Sequence, residues 1–443
     1  MEHGKLQIEY LGIVLRFATI SRLRNKRNYH MTTERLYYLD GLRVFTMLMV
    51  VACHVSLSFF PIPLPFWAIT DDSAHPYATL IFSSVNSVSM PLFFVISGIF
   101  AQRLFQTKGP RAFFINRLHR IGLPLLATWL LLVIIMQCVY FMIVLGQVMT
   151  CYYGPDATRV GSLWNFWQDV GFAAKEDWNW KNLQLSLGWL WFIYYLLLFY
   201  SLLGLSLALR RFNLIATGLD KGWQWLTHAF LSPKRIFWLG LTSTVLVSFS
   251  SGFFERGYWF IRVPSNFTPN ISMLLFFGLP FIMGWFLATH QQVIDEWQRY
   301  RWQYTCGGVL ALLLCLTLEF HYQLVFEVPQ YYYLKIVSYA LKMLACWMLI
   351  FGLFGLFKTY LNKANTLIKS LTEVSYWVYL THIPVVLALQ VGLLASPWPM
   401  AVKFVVIYSL ALVVVIACYR YFVKDTFIGK ILNGRREPLQ PAG

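Results

Sequence analysis

The stretch LDGLRVFTMLMVVACHVSLSFF, Leu39–Phe60, decides the fold. About 20 apolar residues at 1.5 Å each are enough to cross a bilayer as a helix, and this run is that long. It nevertheless carries Asp40 and Arg43 at its start and His54 well inside. Arg43 and His54 are eleven residues apart, which at 100° per residue returns to within about 20° of one helix face and rises about 16 Å. A cation at one membrane surface then lies directly below an imidazole near mid-membrane. Ionisable groups at that depth are costly, and by default they are functional.

The rest of the chain is of the same kind. Its 443 residues are 58% hydrophobic, 18% aromatic and only 12% charged, which excludes an ordinary soluble protein. The expected fold class is an all-α, polytopic helical membrane protein. A β-barrel is excluded because the apolar runs are unbroken, where a barrel shows alternation over roughly ten residues. The net charge of +17 would suit a nucleic-acid partner, but Lys and Arg are scattered through short loops between apolar runs. They set topology, and no nucleic-acid partner is expected. Six of the seven cysteines (Cys53, Cys138, Cys306, Cys315, Cys346, Cys418) fall within apolar runs and only Cys151 lies near a loop, so no disulfide framework is expected. The nine histidines show no metal-ligand spacing, and no metal is expected.

Ten spans are predicted, at about 39–60, 78–102, 121–149, 187–208, 236–254, 271–289, 304–320, 334–357, 371–394 and 400–422. They divide the chain into a basic N-terminal segment (1–38), a transmembrane domain (39–422) and a basic tail (423–443). The run 8–20 is interrupted by Arg16 and lacks a small-residue cleavage site, which favours an interfacial helix over a signal peptide. Met31 offers an alternative start. Alternating the loops puts roughly 28 of the 36 Lys and Arg on the side of the two termini, about 5 opposite and about 3 within spans. Both termini are therefore expected in the cytoplasm. The loop at 150–187 is rich in tryptophan, for an interfacial belt or for stacking on sugars. No internal repeat argues for an inverted-repeat transporter.

Candidate chemistry begins with the basic cluster Arg43, Arg117 and Arg120. Arginine matches phosphate bidentately and keeps its charge when partly desolvated; the same residues at 117 and 120 also satisfy the positive-inside rule alone. His54 could serve as general base for a hydroxyl, or could be a core histidine donating to a backbone carbonyl. Its alignment over Arg43 favours the first. In the ninth span Tyr379 and His382 are three residues apart on one face, just before Pro384, as a cavity wall or as a structural pair. Lys335 and Lys342 are a heptad apart in the eighth span. Lys335 is placed to snorkel, whereas Lys342 needs a partner among Glu319, Glu327 and Glu373.

Five segments together resemble a known family: LDGLRVFTMLMVVACH with its Arg-x₁₀-His spacing, MPLFFVISGIF, RLHRIGLP, LWF in the fourth span and SYWVYLTHIP in the ninth. In this order they look like the acyltransferase-3 family of integral membrane O-acyltransferases, over about 35–422, and most like its glucan biosynthesis protein C group, which succinylates periplasmic glucans. The resemblance implies transfer of an acyl group, succinyl or acetyl, from a cytoplasmic acyl-coenzyme A donor to a carbohydrate hydroxyl at the outer face. It implies a catalytic role for His54 and acyl-donor binding by Arg43, with Arg117 and Arg120 matching the family's basic motif. His382 matches its late YLxH motif. Ser97, Tyr379 and His382 are candidates for oxyanion or acceptor contacts. No tightly bound cofactor is implied; the partners are the acyl-coenzyme A, the carbohydrate acceptor, the bilayer and envelope-polysaccharide synthesis proteins. One departure stands out: where the group tends to show a histidine before LWF, this chain has Trp189. Two other classes compete: a transporter or flippase for a lipid or acyl carrier, and a structural subunit of an envelope complex.

Overall fold

The computed structural model describes residues 36–61, 64, 67, 69–131, 187–209, 217–218, 221–222, 230, 235–250, 261, 263, 267–322, 330–394 and 396–433. Every regular element among them is helical. We number the helices α1 (Tyr37–Ser56), α2 (Pro76–Arg117), α3 (Trp191–Leu209), α4 (Arg235–Ser248), α5 (Ile271–Leu287), α6 (Gln291–Arg299), α7 (Arg301–Tyr322), α8 (Tyr331–Tyr360), α9 (Thr366–Leu393), α10 (Met400–Cys418) and α11 (Phe427–Asn433). Seven helices are long and apolar enough to cross a membrane, or up to eight if the bent pair α5–α6 counts as one span. The all-α, multi-pass architecture follows. Of the ten predicted spans, the third runs beyond the described residues after Leu131, and the fifth is a 14-residue apolar helix, α4.

Local sequence explains where the helices start. The Asn270 side chain accepts from the Met273 amide at 3.1 Å and that of Asn365 from the Ile368 amide at 3.0 Å, each supplying an acceptor to an amide that the helix leaves unpaired. Pro76 opens α2, where its missing N–H costs nothing. The linker HQQVIDEWQRYRW is itself mostly helix: α6 turns 102° away from α5 and buries Val293, Ile294 and Trp297.

The stretch after the second predicted span is helical as well. α2 continues past Gln102 to Arg117, and a π-helical turn at Leu118–Gly122 leads into helix that continues to Leu131. Gly109, at φ 75°, breaks the helix, and Pro110 restarts it because its fixed φ suits a first helical position.

α2 is the hub, packed against α1 and α5, while α9 covers α1 and α8 packs between α7 and α4. Gly98 of the MPLFFVISGIF motif sits where α2 crosses α5: a Cβ there would lie 2.1 Å from the Phe281 carbonyl oxygen, and one on Gly284 would lie 1.9 Å from that of Val95. With no hydrophobic effect available between helices in lipid, such small residues let backbones approach and pack. Phe94 of the same motif meets Trp191 and Phe192 of LWF, with ring centroids 6.3 and 4.7 Å away. Two of the quoted motifs thus form one aromatic core.

Two lysines inside the spans are buried in different ways. Lys342 on α8 meets Glu319 on α7 at 2.5 Å, both 1% exposed, and Glu319 also accepts from Ser83 (2.5 Å) and Ser338 (3.1 Å). Of the three carboxylates considered, Glu319 is thus the partner; Glu327 lies outside the described residues. Lys335 does not snorkel. It is fully buried, with Nζ 5.9 Å from the ring centroids of both Tyr331 and Tyr339, because these flanking aromatics offer a cation a desolvated π-face before it reaches the surface. Cys53, Cys315 and Cys346 are buried free thiols, while Cys306 is exposed; Cys138 and Cys151 lie outside the described residues.

Candidate functional site

Arg43 and His54 share one uninterrupted helix, α1, so their common face and roughly 16 Å separation hold. Two distinct features lie along that face.

At the Arg43 level is a cavity of about 550 Å³. Arg43, Ser97, Arg117, Arg120 and Tyr379 all line it, so five of the seven predicted site residues, drawn from four segments of the chain, converge. The π-helical turn directly after Arg117 changes the angular spacing of the RLHRIGLP motif, a feature common at functional sites. Arg117 stacks over Phe113 and Tyr200, 5.4 Å from each ring centroid, and donates to the Phe100 carbonyl at 3.4 Å. Arg120 donates to the Leu432 carbonyl of α11 at 2.8 Å, so the start of the C-terminal tail closes one side of the cavity. The wall also includes Asp40, noted in the sequence but given no site role there, and Arg103, Asn116 and Tyr376. Arg103 and Asn116 carried no usable signal: the helix breaks at Gly109 between Arg103 and Arg117, and Asn116, one residue before Arg117, lies about 100° from it around the helix.

His54 and His382 are the other feature; they are outside the cavity lining and touch each other. His382 Nε2 is 3.2 Å from His54 Nδ1, and the rings meet edge to face at 4.9 Å. Hydrogen-bond partners assign both tautomers. His382 Nδ1 faces two carbonyls, Val378 at 2.8 Å and Tyr379 at 2.9 Å; a carbonyl only accepts, so this nitrogen carries the proton. Nε2 of neutral His382 is then an acceptor. His54 Nδ1 faces the Val50 carbonyl at 2.9 Å as well as His382 Nε2, so it too is the protonated nitrogen. His54 Nε2 is left with its lone pair, and among the described residues no group hydrogen-bonds to it. That is the arrangement of a general base whose charged form is stabilised by a neighbour.

The two features are one helical turn apart on α9, where Tyr379 ends the cavity and His382 follows three residues later. Tyr379 donates to the Trp189 carbonyl, and Trp189 Nε1 donates to the Leu380 carbonyl at 3.3 Å. The indole at the departure from the expected histidine thus ties the segment before the LWF helix to α9, while the backbone carbonyl of the same residue occupies the Tyr379 hydroxyl. Above the histidine pair, Trp67 lies 5.9 Å from the His54 ring and donates to Gln390 at 3.2 Å, which in turn donates to the Val55 carbonyl at 3.2 Å. Lys403 and Asp71, paired at 2.9 Å and both buried, fix the loop carrying Trp67 to α10.

An arginine-lined cavity and a histidine pair thus lie one helical turn apart along α9 in a bundle of apolar helices. The acyltransferase domain of the acyltransferase-3 family matches residues 36–420, and the chain belongs to that family, by class a membrane acyltransferase. Among curated proteins it is similar to the glucans biosynthesis protein C of Escherichia coli strain K12 and that of Shigella dysenteriae serotype 1. Each is 31% identical over 93 residues, 21% of this chain and 23% of the relative, so the match spans about a quarter of the relatives' length. No solved structure matches the chain.

Proposed function

We propose that this protein transfers an acyl group, succinyl or acetyl, from a cytoplasmic acyl-coenzyme A to a carbohydrate hydroxyl at the outer face of a bacterial inner membrane, with an envelope or periplasmic glucan as acceptor. The observation that carries the reading is the shared face of α1, with the arginine cavity at Arg43 and the unprotonated Nε2 of His54 about 16 Å further along. Arg43, Arg117 and Arg120 hold the donor's phosphates, and the thioester reaches past Tyr379 toward His54. His54 Nε2 takes the proton of the acceptor hydroxyl as its oxygen attacks the thioester carbonyl. The C–S bond breaks, the thiolate leaves, and the imidazolium returns the proton to it. Ester and free coenzyme A are the products. His382 Nε2 accepts from His54 Nδ1–H throughout and acts as a positioning residue. Ser97 lines the arginine cavity and not the histidine pair, so it contacts the donor there; Tyr379 is held by the Trp189 carbonyl and fixes the wall instead.

The similarity to glucans biosynthesis protein C supports the glucan acceptor, and the positive-inside distribution of Lys and Arg supports a cytoplasmic donor. Mass spectrometry of periplasmic glucans from cells with and without the protein tests acyl group and acceptor together. A mass increment of one succinyl or one acetyl group, present only with the protein, is expected. Identical glucan spectra would overturn the acceptor assignment.

A further inference from the structure

Three polar atoms belonging to residues of the cavity wall are buried and have no hydrogen-bond partner: Tyr376 Oη, Asn116 Oδ1 and Arg117 Nε. Twelve such atoms occur among the described residues, and these three are the ones whose residues line the cavity, where a ligand can complete the bonding. Tyr376 and Asn116 have no role in the mechanism above, and they differ in what they can bind.

Tyr376, Arg43 and Arg120 line the same cavity. A hydroxyl there can donate to an anion that the two guanidiniums hold. Asn116 Oδ1 only accepts, so its partner must bring an N–H or O–H. A ligand that satisfies both carries phosphate oxygens and, separately, a hydrogen-bond donor near Arg117. Asn116 sits beside Arg117, at the arginine end of the cavity. The acyl end of the donor points the other way, toward His382, which is six residues (about 9 Å) beyond Tyr376 on α9. The portion of a coenzyme at the Asn116 end is therefore its nucleotide.

We propose that Tyr376 and Asn116 select the acyl donor. Tyr376 donates to the phosphate held by Arg43 and Arg120, and Asn116 accepts from an N–H of the nucleotide, which favours a nucleotide-bearing donor over an acyl phosphate or a lipid phosphate. The inference rests on the donor reading above and sharpens it.

Equilibrium binding to the full chain in nanodiscs, with coenzyme A and with 4′-phosphopantetheine as probes, tests it. Asn116→Leu is expected to weaken coenzyme A about tenfold, one hydrogen bond's worth, and to leave phosphopantetheine unchanged. Tyr376→Phe is expected to weaken both probes by a similar factor. Retained phosphopantetheine binding certifies the fold of the Asn116 variant, and Asn116→Ala gives the same comparison if the leucine is not accommodated. Variants that bind coenzyme A like wild type, or an Asn116 variant that loses both probes in parallel, would overturn the proposal. Wild-type protein that binds neither probe would overturn the donor reading itself, a separate result.

Discussion

Replacing His54 by Ala or Gln is expected to lower the turnover number for acyl transfer by about 10²–10⁴-fold, the usual contribution of a positioned general base. In free energy that is about 3–5 kcal/mol of transition-state stabilisation. Donor affinity should hardly change, because His54 lies outside the arginine cavity. His382 is expected to matter less. Its Nε2 accepts from His54 Nδ1–H at 3.2 Å, a bond that strengthens when His54 is charged. A hydrogen bond to a charged group is worth about 1.5–3 kcal/mol, so His382→Ala should cost roughly 10–100-fold, and His382→Gln, which keeps an acceptor, should cost less. The measurement is initial rate at saturating donor with each variant purified and shown to be folded. Folded His54 variants that acylate at the wild-type rate would rule out this residue as the base.

Glu319→Ala should be strongly destabilising although it lies outside the site. Glu319 and Lys342 are each 1% exposed, and Ser83 and Ser338 converge on the same carboxylate. Removing one partner of a buried pair leaves the other charge uncompensated in low dielectric, at a cost of about 3–5 kcal/mol. The paired variant Glu319→Leu with Lys342→Met should recover most of that loss, since apolar residues of similar volume replace buried ion pairs at little cost. Thermal unfolding in detergent or nanodiscs checks both. A single variant as stable as wild type would show that the pair carries no net weight.

Much of this was legible in the sequence because the membrane simplifies the code. Apolar length announced the spans, and the heptad of Lys335 and Lys342 announced a buried charge in need of a partner. The Arg43–His54 register survives unchanged, since a single unbroken helix leaves no freedom for it to shift. What was not legible depends on contacts between distant segments. The approach of His382 to His54 joins residues 328 positions apart, and three candidate carboxylates could not be ranked for Lys342 until α7 was placed against α8. Arg103 and Arg117 reach one cavity across the break and restart at Gly109 and Pro110, a geometry that helical periodicity along the charged stretch does not predict. Trp189 illustrates the same limit: as a departure from a motif it is a gap, and in the fold it is the residue that joins α9 to the LWF helix.

The central claim is that a donor bound at the arginine cavity gives its acyl group to a hydroxyl at His54. Purified protein in liposomes, supplied with acyl-coenzyme A labelled in the acyl group and with glucan, measures this directly. The account predicts label on the glucan together with stoichiometric free coenzyme A, both abolished by His54→Gln. Movement of an intact labelled carrier across the membrane, with no donor turnover, would contradict it.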